Sequence, residues 1–98
     1  MKNLKVLLVV TVFISIFSMS CQKAATAGFN YSQNGVGSVF FNNTSSNASS
    51  FNWDFGDGTT STVTSPNHTY KGFGNYTVSL TADGSGGNGS TTQTINVQ

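Results

Sequence analysis

Three aromatic residues alternate along Phe51-Asn52-Trp53-Asp54-Phe55, and Gly56-Asp57-Gly58 follows at once. An extended chain sends successive side chains to opposite faces, so Phe51, Trp53 and Phe55 share one face while Asn52 and Asp54 take the other. The Asp57-Gly58 pair is the signature of a tight hairpin turn that ends the run. The only tryptophan of the chain therefore stands in mid-strand, on a face built to be buried. A small all-β domain is expected around it.

The N-terminus reads as an address. Lys2 and Lys5 precede an apolar, uncharged stretch from Val6 to Phe17, and Ser18-Met19-Ser20-Cys21 follows. A positive start, about a dozen apolar residues and small residues at the end make a secretory signal, too short for a comfortable membrane span of about 20 residues. An ordinary signal peptide with an incidental cysteine would share this pattern. Placing the single cysteine of the chain just after Ser20 resembles a bacterial lipoprotein signal, although Ser18 stands where that family usually has Leu. The resemblance implies removal of residues 1–20 and lipidation of Cys21, with two or more acyl chains holding the protein to a membrane. Residues 21–27 then serve as the lipidated N-terminus and a short linker, spanning at most about 20 Å. The expected location is a bacterial cell envelope, on either its periplasmic or its surface face.

From Cys21 onward, Ser, Thr, Asn and Gly make up 44 of 78 residues. Such a composition suits disorder, but the apolar residues are clustered and in phase, which argues for a folded domain over 28–98. Gly28 to Tyr31 reads as a first strand, Gln33-Asn34-Gly35 as a turn and Ser38 to Asn42 as a second strand. Phe51 to Phe55 is the third. Thr59 to Thr64 pairs back across the turn as an edge strand, broken at Ser65-Pro66. Asn67 to Tyr70 leads into a turn at Lys71 to Gly74. Tyr76, Val78 and Leu80 alternate with Thr77, Ser79 and Thr81 in the clearest period-two run, and Thr91 to Val97 closes the domain. Asp83 to Ser90 reads as a glycine-rich loop, either a flexible hairpin tip or a binding loop. About seven short strands with turns between them predict an antiparallel sandwich, with the Phe51 and Tyr76 strands central. Its expected core is Val39, Phe41, Phe51, Trp53, Phe55, Tyr70, Tyr76, Val78, Leu80, Ile95 and Val97.

Trp53-Asp54-Phe55-Gly56-Asp57-Gly58, then His68-Thr69-Tyr70, then Gly74-Asn75-Tyr76-Thr77-Val78-Ser79-Leu80-Thr81 resemble the motifs of a PKD (polycystic kidney disease repeat) domain. The likeness covers roughly residues 26–98. It implies an immunoglobulin-like β-sandwich, a non-catalytic role, and contact with proteins or carbohydrates. Within that family the module often stands beside an enzyme domain, which this sequence does not contain.

The residues support no other chemistry. Four lysines against three aspartates form no basic stripe, so electrostatic binding of nucleic acid has nothing to act on. Asp54 and Asp57 suggest calcium, but three acids are few for a protein cage and Asp57 suits the turn, so no metal or cofactor is expected. His68 has no nucleophile motif to serve and is expected to tie its loop to backbone. Tyr70 is positioned for a hydroxyl bond at a corner of the sandwich. Phe40 should point away from the Val39/Phe41 face, and Phe73 sits at a turn, so these two are the candidate ligand contacts. Alternatively, Phe40 packs under a loop and Phe73 caps the sandwich end. The expected function is a lipid-anchored binding module for an envelope protein or polysaccharide. The alternative is a structural accessory subunit of a larger envelope complex with no ligand of its own.

Overall fold

Seven strands form two antiparallel sheets in the computed structural model, which describes residues 22–98. The expected signal segment 1–20 and the lipidation site Cys21 lie outside the described residues. Strands β1 (Phe29–Gly35), β2 (Ser38–Asn43) and β5 (Asn67–Thr69) make one sheet in the order β1-β2-β5. Strands β3 (Ser50–Asp54), β4 (Thr60–Ser61), β6 (Gly74–Gly84) and β7 (Gly87–Val97) make the other in the order β4-β3-β6-β7. As the patterns required, β3 and β6 are central and β4 is an edge.

Alternation explains the interior. Trp53 pairs with Leu80 and Phe51 with Ala82 across β3 and β6, while Tyr76 pairs with Ile95 across β6 and β7. Val39 and Phe41 of β2 meet them from the opposite sheet, and Trp53, Phe41, Val78 and Leu80 are fully buried. Phe29 belongs to the same cluster, with its ring 5.0 Å from that of Trp53. Trp53 Nε1 is buried without a hydrogen-bond partner, while Phe41 and Phe55 surround the ring. Gln93 faces inward on β7 and its amide donates to the Phe29 carbonyl at 2.6 Å, joining the two sheets.

The structure departs from the sequence expectations at several points. Phe51 and Tyr76 are only partly buried, packed against the core cluster rather than within it. Strand β1 runs on through Gly35, and the β1–β2 turn falls at Val36-Gly37 rather than Gln33-Asn34-Gly35. A register shift between Gln33 and Gly35 absorbs Asn34, so a bulge rather than a turn uses the local Asn-Gly signal. Of Thr59–Thr64 only Thr60 and Ser61 pair. Ser61 Oγ then accepts from Val63 N, and the chain crosses to the other sheet, where the Pro66 carbonyl accepts from Phe41 N. Asp83–Ser90 is no loop: β6 and β7 stay paired to Gly84 and Gly87, leaving Ser85-Gly86 as the tip. Backbone pairing needs no core side chain, so this hairpin left no apolar signal. The stretch read as linker also joins the fold, since Ala25 is buried and Thr26 bridges to Ser46.

Candidate functional site

The motif residues gather at one end of the sandwich because β3 ends there, β5 ends there and β6 begins there. The loop after β3 closes with a bond from Phe55 N to the Thr59 carbonyl. Asp54 Oδ1 accepts from Gly56 N at 3.0 Å, and Asp57 Oδ1 accepts from Thr59 N at 3.1 Å. Both carboxylates therefore hold the turn, in the manner of aspartates that mimic backbone acceptors. Gly56 adopts φ 82°, and a Cβ there would come within 3.0 Å of Thr77 N, so the loop lies directly on β6.

His68 couples this loop to β5. Its Nε2 lies 2.8 Å from Asp57 Oδ2, and its ring stacks on Phe55 at 4.1 Å between centroids. The expected tie to backbone is thus a tie to a carboxylate. Burial opposes ionisation of Asp57, but hydrogen bonds from Thr59 and His68 outweigh it and hold the carboxyl below its ordinary value of 3.8. Tyr70 donates its hydroxyl to the Phe55 carbonyl at 2.8 Å, from a buried position. Burial, reinforced by the Asp57 charge, pushes the Tyr70 hydroxyl above the usual phenol range. Tyr76 stacks against Tyr70 at 4.2 Å and donates to the Gly72 carbonyl at 2.7 Å. The motif is therefore a brace of interlocked aromatic rings and turn-holding carboxylates. Among the described residues no group of three or more His, Cys, Asp and Glu is placed to hold a metal.

Beside that brace lies a surface. Phe73 is 67% exposed on the loop between β5 and β6, and Val36 is 81% exposed on the β1–β2 turn. The two loops touch: a Cβ built on Gly37 would stand 4.0 Å from Phe73 Cε1, and Tyr70 N donates to the Gly37 carbonyl at 2.8 Å. A depression of about 330 Å³ opens along the same loop, lined by Asp57, Thr59, His68, Lys71, Gly72 and Tyr76, with Thr69. An exposed ring next to a hollow of hydroxyl, imidazole and ammonium groups can stack on an apolar face while bonding polar groups around it. Phe40 is not part of this surface. It is half-buried on the outward face of its sheet, between Ser32 and Asn67. Val36 was missed because an isolated valine beside a glycine carries no pattern. Only the position of the turn exposes it.

The outward face of β6 and β7 offers a contrast. Thr77 pairs with Thr94, Ser79 with Thr92 and Thr81 with Ser90 through their hydroxyls, at 3.2–3.3 Å. These groups partner one another and carry no charge.

The family model of the PKD domain matches residues 22–98. Collagenase ColA of Bacillus cereus is 53% identical over 45 residues, which are 46% of this chain and 5% of the collagenase, so the chain spans a small part of that relative. The crystal structure of the PKD1 domain of Vibrio anguillarum Epp superposes with a TM-score of 0.71 at 36% identity, covering 79% of this chain and 96% of that one. A structure described for the promiscuous specificity of carbohydrate-binding modules from the β-sandwich superfamily gives 0.68 at 32% identity, covering 79% of this chain and 35% of that one.

Proposed function

This chain belongs to the PKD domain family, and from that premise we propose that it is a non-catalytic binding module, held to a bacterial envelope through Cys21, that contacts polysaccharide through Phe73. The observation that carries the reading is the exposure of Phe73 beside Val36, next to a polar-lined depression. A single exposed ring is common on protein surfaces; what supports contact here is its place with Val36 on adjoining loops, since aromatic faces stack well on sugar rings. Stacking of Phe73 on a sugar face, with Lys71 and Thr59 in the adjoining depression offering polar groups to sugar hydroxyls, matches that chemistry. The likeness to carbohydrate-binding modules supports it. The near absence of charge, 7% of residues, favours a neutral polymer over an ionic one.

The test is retention of residues 22–98 on a panel of insoluble and soluble polysaccharides. Retention by the native protein and by Phe40→Ala, with loss in Phe73→Ala, is the expected result. Failure to be retained on any polymer would overturn the carbohydrate reading and leave a protein partner. For the anchor, the expected result is a mass on mature Cys21 that matches a diacylglyceryl, N-acylated residue. An unmodified thiol there would refute it.

A further inference from the structure

The β6–β7 hairpin tip is occupied. Residues 22–26 run across it, held by one backbone bond and one side-chain bond to the tip and by a backbone bridge to the neighbouring β2–β3 loop. Ala25 N donates to the Gly87 carbonyl at 3.0 Å, and Thr26 and Ser46 exchange N–H to carbonyl bonds at 2.9 Å in each direction. Ser85 Oγ donates to the Gln22 side-chain carbonyl. Ala25 itself is only 5% exposed. The glycines of the tip make this approach possible. A Cβ on Gly86 would stand 2.6 Å from the Lys23 carbonyl carbon, and one on Gly89 would stand 3.2 Å from that of Ala25. No side chain other than hydrogen fits between the two backbones at these places.

We propose that this glycine-lined tip is a clamp for the chain's own segment 22–26, fixing where and at what angle the preceding residues enter the domain. The clamp also fixes a polarity. Strand β7 runs from Gly87 at the tip to Val97, and Gln98 beyond it accepts from Gly37 N, next to Val36 and Phe73. Eleven residues of strand at roughly 3.3 Å each place that end about 35 Å from the clamp. Whatever precedes residue 22 therefore enters at one pole, and Val36 and Phe73 face out from the other. The significance of that outward direction rests on the proposed contact at Phe73, but the clamp itself does not.

Two lysines among the described residues provide the probe. Lys71 lies on the exposed loop before β6, and Lys23 lies in the clamped segment with its carbonyl against Gly86. Trypsin acting on the full chain in mild detergent should cut after Lys23 at least about tenfold more slowly than it cuts the same bond in a free peptide, since a protease needs several residues in extended, released form. Gly86→Val and Gly89→Val should raise the appearance of the fragment beginning at Ala24 about tenfold and leave cutting at Lys71 unchanged. Cutting after Lys23 in the native chain at the free-peptide rate would overturn the clamp, as would valine variants that leave the Lys23 rate unchanged. Should a valine variant fail to fold, hydrogen exchange on the native chain decides. Protected Ala25 and Thr26 amides support the clamp, and amides exchanging as fast as free peptide overturn it. None of these readouts depends on polysaccharide binding.

Discussion

Trp53 shows how a single residue decides this fold. Its ring is fully buried and touches Phe29, Phe41 and Phe55 at centroid distances of 5.0, 5.4 and 6.3 Å. Trp53→Ala should cost about 3–5 kcal/mol, most or all of the stability a domain this small holds, so the cooperative melt should vanish. Trp53→Phe should be milder, because it also removes the Nε1 donor that has no partner. Retention of a native melting temperature in the alanine variant would refute the core assignment. Tyr70→Phe should cost about 1–3 kcal/mol, since it strands the Phe55 carbonyl in a buried corner. Asp57 gives the expected pH dependence. Its folded-state pKa lies below the ordinary 3.8, so its stabilisation is complete well above that value and lost as pH falls through the folded value. The Asp57 side chain lies at the surface and keeps 20% of its exposure beside His68, so solvent screening keeps the effect modest. Urea midpoints of the native chain should fall more steeply from about pH 5 to about pH 2 than those of Asp57→Asn.

Elements differ in how plainly their sequences announce them. The aromatic alternation of β3 and the strict period of β6 are patterns of side-chain burial, and both strands lie where those patterns put them. The start of β7 from Gly87 to Ser90 and the segment at Ala25 are held by backbone bonds on small residues, for which sequence offers no periodic signal, whereas Thr91 to Val97 is a strand in both sequence and structure. The Asn34-Gly35 dipeptide carried a genuine local preference that the longer β1–β2 register overrode. Of the site, the brace was legible as a motif, but its Asp57–His68 pairing was not, because eleven residues of separation hide a contact made only by folding. The loop after β3 is the element most sensitive to a small change. Gly56→Ala should destabilise by at least about 1–2 kcal/mol, because φ 82° disfavours any Cβ and the added methyl would meet the β6 backbone. Gly58 has φ 90° but open space around it, so Gly58→Ala should cost less. Chemical denaturation of the two variants side by side checks the ranking.

At the scale of the whole molecule, the two ends of the sandwich do different work. One end braces itself with Phe55, His68, Tyr70 and Tyr76 and leaves Phe73 and Val36 in solvent. The other receives the N-terminal segment on the hairpin tip. Because Phe73 and Val36 contribute little packing, their joint replacement by Ala and Ser should move stability by less than about 0.5 kcal/mol while removing any contact they make. Amide chemical-shift mapping of isotopically labelled residues 22–98, titrated with an oligosaccharide fragment of a polymer that retains the protein, tests the central claim most directly. Shifts confined to Val36, Gly37, Thr59, His68 and Lys71 to Gly74 are the predicted result. Shifts centred instead on the hydroxyl-paired face of β6 and β7, with the Phe73 loop silent, would contradict it.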